Sequence, residues 1–151
     1  MKKLMLFFCF LVLFSTAVLA QRKSNVTGYS SAIGAKFYPA AFTYKHGLGG
    51  NVKAEGLIYF WSGARFTGLV EWYHYIQGLP GLTWYIGPGA HIQFTNKNTY
   101  YFGLDGVIGL DWKINNVPLN LSLDWQPSYD FGSNGEFKGG FGGLGLRYVI
   151  N

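Results

Sequence analysis

Few residues in this chain could do chemistry. His46, His74 and His91 are its three histidines and Cys9 its one cysteine. His91 with Ser122 and Asp124 has the residue types of a nucleophilic triad, in which a hydroxyl attacks, an imidazole takes its proton and a carboxylate orients the ring. A triad needs the three within hydrogen-bond reach of one another. The strand pattern below points all three inward, with Ser122 and Asp124 two strands from His91, so a triad is open on sequence. A hydrogen-bonded network of the same side chains is the plainer reading, and the expectation is that the chain is not an enzyme. His46 and His74 fall on the apolar face near one rim. Three scattered His give no metal-ligand spacing. Gly139-Gly140-Phe141-Gly142-Gly143 is Gly-rich, but a strand pattern follows it rather than a helix, so it is not a phosphate cradle. Asn25-Val26-Thr27 and Asn120-Leu121-Ser122 match the glycosylation pattern and are read as chance. No cofactor, metal or nucleic-acid partner is expected.

The elements that must position these residues are strands. The chain has 151 residues, 22 of them Gly; 49% are hydrophobic, 19% aromatic and 13% charged. Such aromatic content is too high for a disordered chain, and so much Gly is too costly for a helix bundle. Leu82 to Thr95 alternates strictly: Leu82, Trp84, Ile86, Pro88, Ala90, Ile92 and Phe94 against Thr83, Tyr85, Gly87, Gly89, His91, Gln93 and Thr95. That is the period of a strand. Gly63 to Ile76, Tyr100 to Ile114 and Leu119 to Phe131 repeat it. Ser30 to Tyr38, Ala41 to Leu48, Val52 to Trp61 and Gly140 to Ile150 follow it less perfectly. Short turn signals separate the segments, among them Pro39, Gly47 to Asn51, Gly78 to Gly81 and Asn115 to Pro118. Eight antiparallel strands with short turns predict an all-β, up-and-down closed barrel.

Three arguments turn the polar face inward and make the barrel a transmembrane one. The apolar face carries large side chains that would overfill an eight-stranded lumen, whereas the polar face carries Gly87, Gly89, Gly103, Gly109, Gly143 and Gly145. The strand charges sit on that polar face: Lys36, Lys45, Lys53, Arg65, Lys113 and Arg147 against Glu55, Glu71, Asp105, Asp111 and Asp124. Near-balance suits a closed interior in which charges satisfy one another. Finally, Trp72, Trp84, Trp112 and Tyr148 fall at one level, as an interfacial aromatic girdle would. Tyr38, Phe60, Phe94, Tyr100 and Phe131 fall near the opposite level. Phe66, Val70, Ile86, Ile92, Leu104, Ile108, Leu121 and Leu144 are then expected to face lipid. Repulsion between Glu55 and Glu71 disfavours one register of the third hairpin and predicts Lys53 opposite Glu71 with Tyr59 beside Arg65. Pro88 cannot donate to a ladder, so a bulge or kink is expected there.

Residues 1–20 read as a secretory signal peptide: Lys2 and Lys3, an apolar run from Leu4 to Phe14, then Val18-Leu19-Ala20. Cys9 leaves with it. Residues 21–29 read as an N-terminal tail and 30–151 as the barrel. Gly78-Leu79-Pro80-Gly81-Leu82-Thr83-Trp84-Tyr85, Gly87 to Ile92, Leu104 to Lys113, Val117 to Pro127 and Gly145-Leu146-Arg147-Tyr148 together give the chain a family likeness. It resembles the small outer-membrane β-barrel proteins of Bacteroidota-type bacteria, related in shape to OmpA- and OmpX-like barrels. The resemblance implies a bacterial outer-membrane location, with membrane lipid and the outer-membrane assembly machinery as partners, and carries across no catalytic residues. Such barrels usually end on an aromatic; here Tyr148 is followed by Val149, Ile150 and Asn151. The function expected is structural or interaction-based, with a closed charged lumen. The alternatives are a lipid-modifying outer-membrane enzyme acting by acyl transfer or deacylation, which some similar barrels are, and a soluble lipocalin-like binder with the faces reversed.

Overall fold

The computed structural model describes residues 26–61, 63–132 and 134–150. The signal peptide and Cys9 lie outside the described residues. Eight strands follow one another: β1 (Ser31–Phe37), β2 (Ala41–Gly49), β3 (Val52–Tyr59), β4 (Gly63–Tyr75), β5 (Leu82–Thr95), β6 (Tyr100–Lys113), β7 (Leu119–Phe131) and β8 (Glu136–Ile150). Each pairs antiparallel with the next, and β8 returns to β1, so the sheet closes. No edge strand is left to recruit another chain. The chain is an all-β, eight-stranded antiparallel barrel of the shape that OmpA- and OmpX-like barrels share.

The stagger of the strands follows from their pairing. One row of partners runs Gly34, Thr43, Leu57, Thr67, His91, Gly103, Asp130, Glu136. The β8 residue beside Gly34 is Arg147, eleven positions beyond Glu136. One of those positions is the extra residue at a bulge opposite Gln126 and Ser128. A stagger of about ten residues around eight strands, at roughly 3.3 Å per residue and 4.8 Å per strand, tilts the strands roughly 40°.

The third hairpin pairs Lys53 with Glu71 and Tyr59 with Arg65, the register that charge repulsion selects. Pro88 differs from expectation. Leu69–Gly89 and Trp72–Ile86 keep one register across it, so there is no bulge. The ladder to β4 lapses beside Pro88 and resumes. Gly87 accommodates this, its Cα lying so close to the Val70 carbonyl that a Cβ there would come within 1.8 Å. β8 also begins at Glu136 rather than near Gly140. Its glycines hide the alternation, but pairing with β7 through Ser128–Lys138 and Asp130–Glu136 extends it.

Alternation sorts the side chains as the pleat requires. A Cβ added at the inward Gly103, Gly109 or Gly145 would meet neighbours at 2.1, 2.5 and 2.4 Å, whereas at the outward Gly56 and Gly68 it would meet nothing within 4 Å. The inner face is therefore crowded where the outer face is open. Its apolar part is small: Leu57, Leu69, Val107 and the rings of Tyr59, Tyr73 and Tyr85. The described part of the tail does not trail from the barrel. Tyr29 is buried inside the end that carries the termini, and Val26 packs against the interior cluster.

Candidate functional site

The lumen is a stack of three charged tiers. At the terminal end Lys45 bonds Glu71 at 2.9 Å and the Tyr73 hydroxyl at 2.7 Å, and lies over the Tyr85 ring at 4.0 Å. Tyr29 donates to Asp111 at 3.0 Å, and Asn120 does so at 2.7 Å. Lys53 donates to the Tyr29 carbonyl at 2.7 Å and sits over its ring at 3.5 Å. Burial pushes the Tyr29 phenol well above the usual tyrosine range, and the Asp111 carboxylate adds to the rise. Although Lys53 faces Glu71 across the strands, the ammonium that reaches Glu71 is that of Lys45.

In the middle tier Arg147 is the hub. Its guanidinium donates to Glu55 at 2.6 Å, Ser122 at 2.7 Å and Thr43 at 3.1 Å. Thr43 in turn donates to Glu55. Lys36 contacts Asp124 at 2.8 Å, and Tyr85 donates to the same carboxylate at 2.5 Å. Each charge has an opposite partner and further hydrogen bonds, the condition for burying ions without prohibitive cost.

The far tier is different. Arg65 bonds Asp105 at 2.5 Å, as does His91 Nδ1 at 2.6 Å, and Gln126 donates to Asp105 at 3.0 Å. Lys138 pairs with Asp130 at 2.6 Å. His91 Nε2 lies 2.9 Å from Asp130 Oδ1 as an ion-pair contact, although neither atom takes part in a hydrogen bond. Arg65 Nη1, Gln93 Oε1 and Ser128 Oγ are also buried without a hydrogen-bond partner. Five of the seven such buried side-chain atoms among the described residues belong to this tier; Glu55 Oε2 and Glu71 Oε1 are the other two. Phe141 roofs the lumen here, edge-on to Tyr59 at 5.1 Å and under the Arg65 guanidinium at 3.8 Å. Above it opens a cavity of about 650 Å³ lined by Tyr38, Trp61, Gln93, Lys138 and Phe141 among others.

Of the eleven charges expected in the lumen, Lys36, Lys45, Lys53, Glu55, Arg65, Glu71, Asp105, Asp111, Asp124 and Arg147 are buried there. Lys113 is not among them. It sits at the terminal rim and donates to the Ile114 and Val117 carbonyls at 2.8 Å, holding the β6–β7 turn. Its position at the end of β6 lets the long stem turn back to those turn carbonyls. Asp130, two residues from the β7–β8 turn, was not expected and takes the place in the lumen instead. Its even position on β7, shared with Asp124 and Ser122, was the signal that could have found it.

The three candidate triad residues do not meet. His91 is engaged with Asp105, Ser122 with Arg147, and Asp124 with Lys36 and Tyr85. The row through His91 reaches β7 at Asp130, eight residues from Ser122 and so roughly 26 Å along the strand. Nor is a metal site formed: among the described residues no group of three or more His, Cys, Asp or Glu is placed to hold an ion. The carboxylates beside His91 are taken by Arg65 and Lys138.

The outer face is the inverse of the lumen. Trp72, Trp84, Trp112 and Tyr148 are exposed around the terminal rim, where His74 stacks on Trp84 at 4.3 Å. Tyr38, Phe60, Phe94, Tyr100 and Phe131 are exposed toward the far rim. Between the rims Phe66, Ile86, Ile92, Leu104, Ile108 and Leu144 are exposed, with Val70 and Leu121 half-buried among them. Among the described residues no Asp, Glu, Lys or Arg lies in that outward band: Lys97, Lys113, Glu136 and Lys138 are all at rims or turns. Fold and lumen define a closed, filled β-barrel with an apolar exterior. No protein-family model, curated protein or solved structure matches the chain.

Proposed function

We propose that this chain is an integral protein of a bacterial outer membrane, of the small barrel kind found in Bacteroidota-type bacteria, with a structural or interaction role rather than a catalytic or conducting one. One observation carries the reading: the charge-free outward band between two aromatic rims. From Trp84 to Phe94 along β5 is ten residues. At about 3.3 Å per residue and a tilt of roughly 40°, the rims stand about 25 Å apart, the height of the apolar band in transmembrane barrels. On β6 the rim residues Tyr100 and Trp112 are twelve positions apart, about 30 Å by the same conversion. A monomer exposing so continuous an apolar surface in water would aggregate. The filled lumen speaks against conduction, the separation of His91 from Ser122 against the acyl-transfer reading, and the inward charges against a lipocalin-like soluble binder.

Fractionation tests this. The protein is expected in the outer-membrane pellet, extracted by detergent but not by high salt, and to migrate differently on a gel before and after boiling. Recovery from the soluble periplasm without detergent would overturn the reading.

A further inference from the structure

Closure of the barrel uses only part of β8. β1 has seven residues and β8 fifteen. β1 pairs from Ser31 with Ile150 to Phe37 with Leu144, then leaves the sheet at Tyr38, whose φ of 75° turns the chain toward β2. The other eight residues of β8, Glu136 to Gly143, have β7 on one side and no strand among the described residues on the other. No whole strand is an edge, but half of one is. Among the described residues, one hydrogen bond from outside the ladder reaches this stretch, from the Trp125 indole to the Gly139 carbonyl at 2.9 Å.

The half-edge is open. Glu136, Phe137, Gly139 and Gly140 are exposed, and Lys138 and Phe141 are half-buried. Beside it lies the cavity of about 650 Å³, walled on the β8 side by Lys138 to Phe141 and across from them by Tyr38, Pro39 and Trp61. Unpaired main-chain groups along a strand are a template for a further strand, and proteins commonly guard such edges with charge. Of the two charges on this stretch, Lys138 is committed to Asp130 at 2.6 Å, which leaves Glu136 at the tip. At the bulge Gly139 and Gly140 have no partner residue on β7, and neither carries a side chain to keep another backbone away. What fits this surface is a row of N–H and C=O groups at strand spacing with apolar side chains on one face. Polypeptide backbone supplies that row.

We infer that the free half of β8 is a docking edge for an extended peptide, which adds as a strand of about four to six residues, continues the ladder that β1 begins, and lays uncharged apolar side chains over Tyr38 and Trp61. Main-chain hydrogen bonds give such a site its affinity and the flanking rings its preference, so a simple alternating peptide is a sufficient probe. The site is made by the barrel end and not by the outward band, so it does not rest on the membrane reading.

Calorimetry on the full processed chain in detergent tests it with a blocked hexapeptide that alternates threonine and valine, and with two versions of it N-methylated at the odd or at the even residues. A strand on one edge uses only every second amide. One methylated version is therefore expected to bind about tenfold more weakly than the parent, or weaker still, and the other to bind like the parent. Binding of the parent is expected to slow amide hydrogen exchange over residues 137–143 and to leave β3 unchanged. Trp61→Ala, a change in the β3–β4 turn, is expected to weaken the parent about threefold or more. Three results would overturn the inference: no saturable binding of the parent at millimolar concentration, unslowed exchange over residues 137–143, or equal binding of all three peptides, which would mean an apolar ligand such as a lipid chain.

Discussion

The two ends of the lumen are built from the same residue types and end in different states. At the terminal end Lys45, Lys53, Tyr29, Tyr73, Glu71 and Asp111 interlock, Tyr29 joining the network from ahead of β1. At the far end Arg65, His91, Asp105 and Asp130 pair only in part: five buried side-chain atoms take part in no hydrogen bond, two of them, His91 Nε2 and Asp130 Oδ1, facing each other at 2.9 Å. The difference teaches that charge alone does not mark function in such a barrel. A nearly saturated network, in which only Glu71 Oε1 and Glu55 Oε2 lack a hydrogen bond, is a scaffold, because each group is committed to another. An unsaturated one carries the cost of buried groups that are not hydrogen-bonded.

The sharpest way to break this comparison is to remove a hub from the saturated part. Arg147→Met leaves Glu55 buried with one strong partner fewer, and is expected to cost about 3–5 kcal/mol in reversible urea unfolding. A loss under about 1 kcal/mol would mean that the middle tier holds little together.

Next, Tyr29→Phe removes one bond to Asp111 and is expected to cost about 1.5–3 kcal/mol at neutral pH. It also carries a pH signature. The folded phenol is raised above its unfolded value of 10.0, so its contribution is complete below pH 10 and is lost as pH rises beyond it. The gap in stability between wild type and Tyr29→Phe is therefore expected to narrow above pH 10. A gap that widens there would contradict the buried placement of Tyr29.

A third comparison uses glycines. Gly103→Ala would press a methyl against the Tyr129 carbonyl and His91, whereas Gly68→Ala meets open space. The first is expected to cost about 1–3 kcal/mol and the second close to nothing, by the same unfolding measurement. Equal costs would remove the crowding argument for which face is inside. The smallest effect is expected at the far mouth itself. Lys138 is 29% exposed on its side chain and its pair with Asp130 sits at the rim, so Lys138→Met is expected to change stability by less than about 1 kcal/mol.

The strands were legible because a half-buried sheet writes its period into the chain: Leu82 to Thr95 alternates without a break. Which face is inside was also legible, since Gly103 and Gly109 can only crowd a concave surface. The third hairpin's register came from a repulsion, Glu55 against Glu71, that one pairing avoids. What could not be read was who pairs with whom across the lumen. Lys36 reaches Asp124 from 88 positions away and Arg147 reaches Glu55 from 92, and local spacing holds no record of such partners. Lys113 escaped for a simpler reason: at a strand end the alternation rule yields to nearby turn carbonyls. Pro88 escaped because a barrel strand held from β6 through Pro88–Gly106 need not bulge when one ladder lapses. The incomplete pairing of the far tier was invisible for the same reason as the network, since it appears only once all the partners are placed.

The central claim is that lipid, not water, surrounds the outward band. Tryptophan quenching addresses it most directly, using the processed chain carrying Trp61→Phe, so that Trp72, Trp84, Trp112 and Trp125 report from the outer face. In vesicles of lipids brominated on their acyl chains, fluorescence is expected to be strongly quenched, while aqueous iodide has little effect. Strong quenching by iodide with none from the brominated chains would contradict the account.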